Sequence, residues 1–241
     1  DLKRVTDTLS NLGQSPNVGA ALIVSLGCEG TDHERMVEEI RAAGKPVEII
    51  RIQELGGTSR AIQAGIDAAQ RLVQEISGLQ RETVDISEVV MAIKCGASVP
   101  HSAMASNCVI GYVADKLVDL GATVVFGETT EFLGGEHILA KRAVGGENGP
   151  IGQKIYEIVD RMEKRAKSVG EDMRGGQPTP GNIAGGLSSI EEKSLGAIVK
   201  SGHRPIQGVL EYCDRVDGQK GLWIKDAPGR EPEILTGMAA T

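Results

Sequence analysis

The first part of the chain alternates continuous apolar runs with segments of helical period. A continuous apolar run of strand length covers Val18–Leu26, and a second strand is predicted over Pro46–Ile52. Apolar residues recur every three or four positions in the segments that follow them. Helices are therefore expected over Thr31–Ala43 and from Thr58, where the threonine can act as the N-cap. The pattern predicts a βαβα unit.

The same alternation continues to Phe126. It predicts a third strand over Ser87–Ile93, a third helix over Asn107–Leu120 and a fourth strand over Ala122–Phe126. Continuous apolar strands joined by helices are typical of a parallel sheet covered on both faces. The expected fold is α/β, with a parallel Rossmann-like βαβ sheet in a first domain over residues 1–126.

The character of the sequence changes after this fourth strand. A long helix is predicted over Ile151–Val169, and the segment Gly175–Gly186 is too rich in glycine and proline for regular structure. A second α/β region over residues 127–241, with Gly/Pro-rich active-site loops, is expected to complete the site.

Composition excludes several classes of partner. A formal net charge of -7 and only six aromatic residues argue against nucleic acid. The longest apolar run, Val18–Leu26, is far shorter than the roughly 20 residues that span a bilayer, so no membrane segment is expected. The four cysteines lack CxxC spacing, which favours reduced thiols and a cytoplasmic protein.

Small and polar side chains fill the segment that follows the third predicted strand. This segment, KCGASVPHSAMASN, runs from Lys94 to Asn107. Loops at strand ends are favoured positions for ligand sites, although a solvated serine-rich connection would have a similar composition. No GxGxxG motif follows a predicted strand, so dinucleotide binding is discounted.

Four short motifs follow one another along the chain. They are LGCEG, KCGASVPHSAMASN, GETTEFLGGEHIL and PTPGNIAGGLSSIEEKSLG. Each motif alone is weakly informative, but in this order they resemble the altronate/galactarate dehydratase family, which includes sulfolactate sulfo-lyase large subunits. The resemblance covers nearly the whole chain.

The resemblance implies a lyase. Members of this family remove water from a sugar acid such as altronate or galactarate to give a 2-keto-3-deoxy acid, and some relatives split bisulfite from sulfolactate. Because the proton next to a carboxylate is weakly acidic, such a site needs a base, an acid for the leaving group and positive charge for the enediolate. The family's divalent metal would supply that charge; Fe, Mn, Mg and Ca all stay open.

Three residues at predicted strand ends are candidate metal ligands. Cys28 and Glu29 follow the first strand, and Glu128 follows the fourth. Acidic residues at such positions are also ordinary partners of a helix dipole, so this alternative stays open for both glutamates.

The other candidates surround the polar loop and the last motif. Lys193 is expected to bring a cation to an anionic substrate, with a solvated helix lysine as the alternative, and His101 can act as acid or base. Ser98 and Glu131 complete the candidate catalytic set. The candidate substrate-binding residues lie in the polar loop and in the last motif: Cys95, Gly96, Ser102, Asn107, Gly181 and Asn182.

One departure from the family pattern affects the functional prediction. The family's loop carries an aspartate where this chain has Val99. A non-catalytic relative that still binds a carboxylate is therefore an alternative to a hydro-lyase or a sulfo-lyase subunit. Family members extend beyond both ends of this sequence. We therefore expect a fragment of a longer protein that forms a homo-oligomer or associates with a small amino-terminal-type domain or subunit, with a small carboxylate as substrate.

Overall fold

The computed structural model describes residues 2–96 and 98–241. Asp1 and Ala97, the latter within the predicted ligand loop, lie outside the described residues. Parallel strands and helices build the chain, which confirms the α/β class. Contacts divide it into a first unit, formed by the chain up to Thr83 with Cys213–Arg215 and Ala239–Thr241, and a second unit, Val84–Tyr212 with Val216–Met238.

The first unit contains the predicted βαβα arrangement. Its two strands pair in parallel, with Ala21 opposite Val47. Gly57, with a φ of 122°, is the N-cap of the third helix, so the prediction that Thr58 caps it was wrong. A helix before the first strand was not predicted. The elements are α1 (Leu2–Gln14), β1 (Ala21–Ser25), α2 (His33–Ala42), β2 (Val47–Arg51) and α3 (Thr58–Ile76).

The second unit is built on a four-stranded parallel sheet. Its strands are β3 (Val90–Ile93), β4 (Thr123–Phe126), β5 (Ile206–Leu210) and β6 (Gly221–Lys225), in the order β3-β4-β6-β5. Its helices are α4 (Asn107–Asp119), α5 (Glu136–Arg142), α6 (Pro150–Ser168), α7 (Met173–Gly176), α8 (Pro180–Ala184), α9 (Ile190–Ile198) and α10 (Glu231–Ala239). No described helix is long and apolar enough to cross a membrane.

Two features of this arrangement differ from the sequence pattern. The pattern predicts one sheet before Phe126 and a division after it, whereas the structure divides at Thr83 and pairs β3 and β4 with the unpredicted β5 and β6. The Gly175–Gly186 segment contains the short helix α8, which Thr179 and Asn182 cap reciprocally. The Rossmann-like arrangement stays a prediction.

The core of the second unit lies against its central strands. Every residue of β4 and β6 is buried, because each of these strands has a neighbour on both sides. Fully buried side chains from the strands and from helices α5 and α6 form one cluster: Val124, Phe126, Leu139, Ile155, Ile158, Ile206, Leu222 and Ile224. The rings of Phe126 and Phe132 meet edge to face, with centroids 5.7 Å apart.

Polar residues follow all four strands of the larger sheet. Cys95 comes two residues after β3, Glu128 two after β4, Glu211 directly after β5 and Asp226 directly after β6. Because parallel strands end at the same edge, these residues share one side of the sheet, which we call the carboxyl edge. In open α/β sheets this edge is where ligands bind.

A glycine lets α4 approach the 3₁₀ turn that follows α9. A Cβ at Gly111 would lie 2.4 Å from the carbonyl oxygen of Val199 and 3.1 Å from the backbone nitrogen of Gly202. Backbone atoms cannot yield as a flexible side chain can. Gly111 is therefore needed to place the 3₁₀ turn Val199–Ser201 against α4.

We expect Gly111→Ala to lower the free energy of unfolding by about 1–3 kcal/mol, because the added methyl group overpacks this contact. Urea unfolding followed by the fluorescence of Trp223, the single tryptophan of the sequence, measures this effect in the second unit.

The matched control is Gly65→Ala in α3, where an added Cβ meets nothing within 4 Å. It should stabilise the first unit by about 0.4–1 kcal/mol, measured by far-UV circular dichroism. Equal effects of the two substitutions would contradict the packing assignment at Gly111.

Candidate active site

A buried lysine joins two glutamates at the carboxyl edge. The Nζ atom of Lys200 donates to Oε2 of Glu128 at 2.5 Å and to Oε2 of Glu131 at 2.6 Å. Lys200 lies in the turn after α9, and both glutamates follow β4. The fold therefore brings together residues that are about 70 positions apart in the sequence.

These three side chains are almost entirely removed from solvent. Their exposed fractions are 1% for Lys200, 3% for Glu128 and 10% for Glu131. Removing charges from water costs several kcal/mol per ion, and only close pairing offsets that cost. With one cation between two carboxylates, loss of the ammonium would leave two buried carboxylates without a cation.

The backbone at Glu128 is held in an uncommon conformation. Its φ of 70° and ψ of 63° lie in the left-handed region, which costs a non-glycine residue free energy. The Cys95 N–H donates to Glu128 Oε2 at 2.8 Å, and Nζ of Lys94 lies 4.0 Å from Oε1. This conformation turns the Glu128 carboxylate back toward the end of β3.

The environments of the two glutamates differ. Burial raises the pKa of Glu128 above its ordinary value, and this effect outweighs the attraction of Lys200. Burial also opposes ionisation of Glu131, but the Lys200 charge and hydrogen bonds from Lys200 and Ser98 lower its pKa. Despite burial, the two carboxylates raise the pKa of Lys200. Paired carboxyl groups whose pKa values are driven apart are a common basis for separate acid and base roles.

Ser98 connects this buried cluster with the polar loop. Its hydroxyl donates to Oε1 of Glu131 at 3.1 Å and lies 3.6 Å from the Cys95 sulfur. Burial, together with the nearby Glu131 charge, raises the pKa of the Cys95 thiol, so this cysteine is held neutral. Gly96 is exposed beside it.

Ser98 also lines a small cleft that contains Lys193. The lining residues come from the polar loop and from the last motif: Ser98, Val99, Ser102, Ala103, Asn107, Leu187, Glu192, Lys193, Gly196 and Ala197. Nζ of Lys193 donates to Oε1 of Gln177 at 2.8 Å and to Oδ1 of Asn182 at 3.3 Å. The Asn182 amide in turn donates to the Ser98 carbonyl at 2.8 Å. Gly181 precedes Asn182 in α8.

Close packing fixes the polar loop against the glycines of the last motif. A Cβ at Gly185 would lie 2.9 Å from a methyl carbon of Val99, and one at Gly196 would lie 2.7 Å from the Ala103 Cβ. Val99 is thus a packing residue in this chain. The Ser102 hydroxyl donates to the Val99 carbonyl at 2.7 Å.

The remaining loop candidates lie at the start of α4. Residues Ser102–Ser106 form a π-helical turn, a conformation frequent at functional sites. The buried Asn107 amide donates to the Gly196 carbonyl at 2.9 Å, which ties α4 to α9. His101 is exposed before this turn, and its role as acid or base stays a prediction.

In the first unit, Glu29 is engaged by its own loop. Its carboxylate accepts the N–H groups of Leu26 at 2.8 Å and Gly27 at 2.6 Å, and His33 lies 3.1 Å away. Backbone N–H groups, that of Glu29 first, lower its pKa to about 2. The exposed Cys28 sulfur accepts a hydrogen bond from Gln53 at 3.3 Å.

The candidate metal ligands do not fit a metal ion in this arrangement. Among residues 2–96 and 98–241, no three His, Cys, Asp or Glu side chains are grouped so that they could hold one. Backbone N–H groups engage Glu29, and the ammonium of Lys200 already lies between Glu128 and Glu131. The metal therefore stays a prediction from the family resemblance.

Comparison with known families assigns the chain. The family model described as D-galactarate/altronate dehydratase, C-terminal, matches residues 86–241, and the model of the second domain of D-galactarate dehydratase/altronate hydrolase matches residues 1–77. The chain belongs to the D-galactarate/altronate dehydratase family. The predicted resemblance is confirmed, and the two matched regions correspond to the two structural units.

Curated relatives in this dehydratase family carry lyase names. The (2R)-sulfolactate sulfo-lyase subunit beta of Chromohalobacter salexigens is 39% identical over 235 residues, which cover 97% of this chain and 59% of the relative. The galactarate dehydratase of Escherichia coli is 35% identical over 93% of this chain and 43% of the relative. The altronate dehydratase of Bacillus subtilis is 31% identical over 100% of this chain and 47% of the relative. The chain spans about half the length of the curated relatives it matches.

Sequence reasoning missed Lys200. It selected Lys193, which lies seven positions earlier, in α9. The available signal was a lysine directly after the apolar run Ala197–Val199, at a position that helical periodicity would bury. That signal indicates a buried cation but does not identify its partners, which lie far away in the sequence.

We expect Lys200→Met to lower the free energy of unfolding by about 3–5 kcal/mol at pH 7, because two buried carboxylates lose their cation. Without the cation, burial places both folded-state pKa values above the unfolded value of about 4.3. Such carboxyl groups stabilise the folded state below the unfolded pKa, and this stabilisation is lost as pH rises. The loss of unfolding free energy in Lys200→Met should therefore be smaller at pH 4 than at pH 7. Urea unfolding at the two pH values measures it.

The matched control adds Glu128→Gln and Glu131→Gln to Lys200→Met. This triple variant carries no buried charge at the site, so much of the lost stability should return at pH 7. A deficit in Lys200→Met that is independent of pH would contradict the charge assignment.

Proposed function

We propose that this chain is the core of a lyase that acts on a small hydroxy carboxylate, with a sugar acid such as altronate or galactarate as the first candidate. The reaction removes the proton from C2, next to the carboxylate, and expels a leaving group from C3. In a dehydration, the C3 hydroxyl leaves as water with a proton equivalent to the one taken from C2, and the enol product becomes a 2-keto-3-deoxy acid when its hydroxyl proton moves to C3. Membership of a family whose named relatives are lyases supports this proposal.

The observation that carries the proposal is the connection from the cleft through Ser98 to the buried carboxylates. Ser98 lines the cleft and donates to Glu131, whose lowered pKa keeps its carboxylate ionised, as a base must be. Glu131 serves as the base, through the Ser98 hydroxyl or directly once that hydroxyl rotates. The Lys200 ammonium stabilises the negative charge that develops nearby.

The other side of the cleft suits the substrate carboxylate. Lys193 is half-buried, and its ammonium already binds two neutral amide oxygens, of Gln177 and Asn182. A carboxylate is a stronger acceptor for an ammonium than an amide oxygen is. We therefore assign Lys193 to the substrate carboxylate, with Asn182 keeping it next to Ser98.

A sulfo-lyase function is the second candidate. It is favoured by the 39% identity to the sulfolactate sulfo-lyase subunit beta, over 59% of that relative. Sulfolactate would lose its C2 proton to the same base, and bisulfite would leave from C3. A non-catalytic carboxylate-binding relative would keep the cleft without the proton transfer.

Three further features of the function are proposals. Because the chain spans about half of its relatives, and one relative is named a subunit, we propose that activity requires an additional domain or subunit, or a homo-oligomer. The four cysteines form no disulfide, which supports a cytoplasmic location. We also propose a divalent cation, bound by residues other than Glu128 and Glu131, because the ammonium of Lys200 already lies between these two carboxylates.

We expect Glu131→Gln to abolish C2 proton exchange, because the amide cannot accept the proton. The assay incubates the full-length protein with altronate, galactarate or sulfolactate in D₂O and follows the C2–H signal by NMR. Release of 2-keto acid and of bisulfite distinguishes the hydro-lyase from the sulfo-lyase. Glu163→Gln in α6, which pairs with Arg174 and Lys167, is the control and should keep the wild-type rate.

Exchange that persists in Glu131→Gln would remove Glu131 as the base. Binding of all three acids without exchange or product would favour the non-catalytic relative.

We expect Lys193→Ala to raise KM about ten- to a hundredfold, because a charge-assisted contact to a carboxylate is worth about 1.5–3 kcal/mol. The free energy of unfolding should change little, since its side chain is half-exposed. Steady-state kinetics and urea unfolding measure the two effects, with Lys167→Ala in α6 as the control. An unchanged KM would indicate that Lys193 does not bind the substrate carboxylate.

A further inference from the structure

Outside the proposed catalytic groups, a chain of hydrogen bonds reaches the backbone next to Glu128. The Thr129 hydroxyl donates to Oδ1 of Asp226 at 2.6 Å, and the Thr129 N–H donates to the Ala227 carbonyl at 3.0 Å. Asp226 and Ala227 directly follow β6, the neighbour of β4 in the sheet. The end of β6 therefore holds the residue that follows Glu128 at two points.

Helix α6 extends this chain. Arg161 donates to Oδ2 of Asp226 at 2.6 Å and to Glu211 at 2.7 Å. The Asp226 carboxylate thus has one oxygen on Thr129 and the other on Arg161, which fixes its orientation. Thr129 is buried, so water does not compete for its hydroxyl.

The hydrogen bonds at Thr129 can stabilise the strained backbone conformation of Glu128. Residues in the left-handed region persist only where the surrounding structure determines their conformation. The N–H of Glu131 donates to the Glu128 carbonyl at 2.7 Å, so a change at Thr129 would move both glutamates. A shift of about 1 Å in a catalytic group can cost about a hundredfold in rate.

We propose that Thr129, Asp226 and Arg161 are positioning residues that hold Glu128 and Glu131 around Lys200. The effect on catalysis rests on the proposed function, whereas the geometry of the Lys200 ammonium does not. None of the three makes a hydrogen bond to the carboxylates or ammonium of the cluster within the described part of the chain. They act through the backbone between the two glutamates.

The test uses a matched pair of threonines on β4 and its exit. Thr129→Val removes the hydroxyl at the carboxyl edge. Thr123→Val removes a similar buried hydroxyl at the opposite end of β4, where it donates to the Gln219 carbonyl at 2.8 Å. Thr129→Ser restores the hydroxyl and serves as the rescue.

The first readout is independent of activity. In the full chain labelled with ¹⁵N-lysine, the Lys200 ammonium should give a protected Nζ signal, assigned by its loss in Lys200→Arg. We expect that signal to shift or broaden in Thr129→Val, and to be unchanged in Thr123→Val and Thr129→Ser. An unchanged signal in Thr129→Val overturns the proposal.

The second readout separates kcat from KM in the full-length protein, with whichever of altronate, galactarate and sulfolactate turns over fastest. We expect Thr129→Val to lower kcat about 10- to 100-fold with KM within twofold, while Thr123→Val and Thr129→Ser stay near wild type. Equal kcat in the two valine variants overturns the catalytic part of the proposal. Activity in Glu131→Gln would remove Glu131 as the base, and failure of the wild-type protein to turn over any of the three acids would overturn the proposed function; in both cases the ammonium signal would still decide the positioning.

Discussion

One buried ammonium between two carboxylates is the interaction on which the candidate active site depends. Lys200 is 1% exposed and contacts Glu128 and Glu131 at 2.5 and 2.6 Å. Charges removed from water are tolerated only when paired, so each of the three groups fixes the other two. The same constraint gives the two carboxyl groups different proton affinities, which is the property that an elimination needs from its acid and its base.

The surrounding fold satisfies this constraint from several directions. Gly111 allows α4 to approach the turn that carries Lys200, and the left-handed Glu128 places its carboxylate against the Cys95 N–H. Ser98 then connects Glu131 with the cleft. The ammonium of Lys200 contacts both carboxylates, so a cation of the protein itself lies between them.

Much of this fold could be predicted from the sequence, and the reasons for the failures are physical. Strands β1, β3 and β4 are mainly apolar runs, and the end of β3 located the loop that contains Cys95 and Ser98. Strand β2, which also contains Glu48 and Arg51, was predicted as well. Strand β5 contains Gly208, which packs against the Trp223 ring, and its register is irregular there, so it carries no clear strand period. Lys200 and its glutamates are about 70 residues apart, a relation that no local period encodes. Glu128 adopts a left-handed backbone conformation that glycine usually adopts, so the residue type at this position does not indicate it.

The most direct test of this account is a pH titration of the Glu128 and Glu131 carboxyl carbons by ¹³C NMR in the full chain, with Glu128→Gln and Glu131→Gln used for assignment. We expect the Glu128 signal to titrate above the ordinary glutamate value, because burial dominates there, and the Glu131 signal to titrate below it, because Lys200 and Ser98 stabilise its charge. Titration of both carboxyl groups together at the ordinary value would contradict the account.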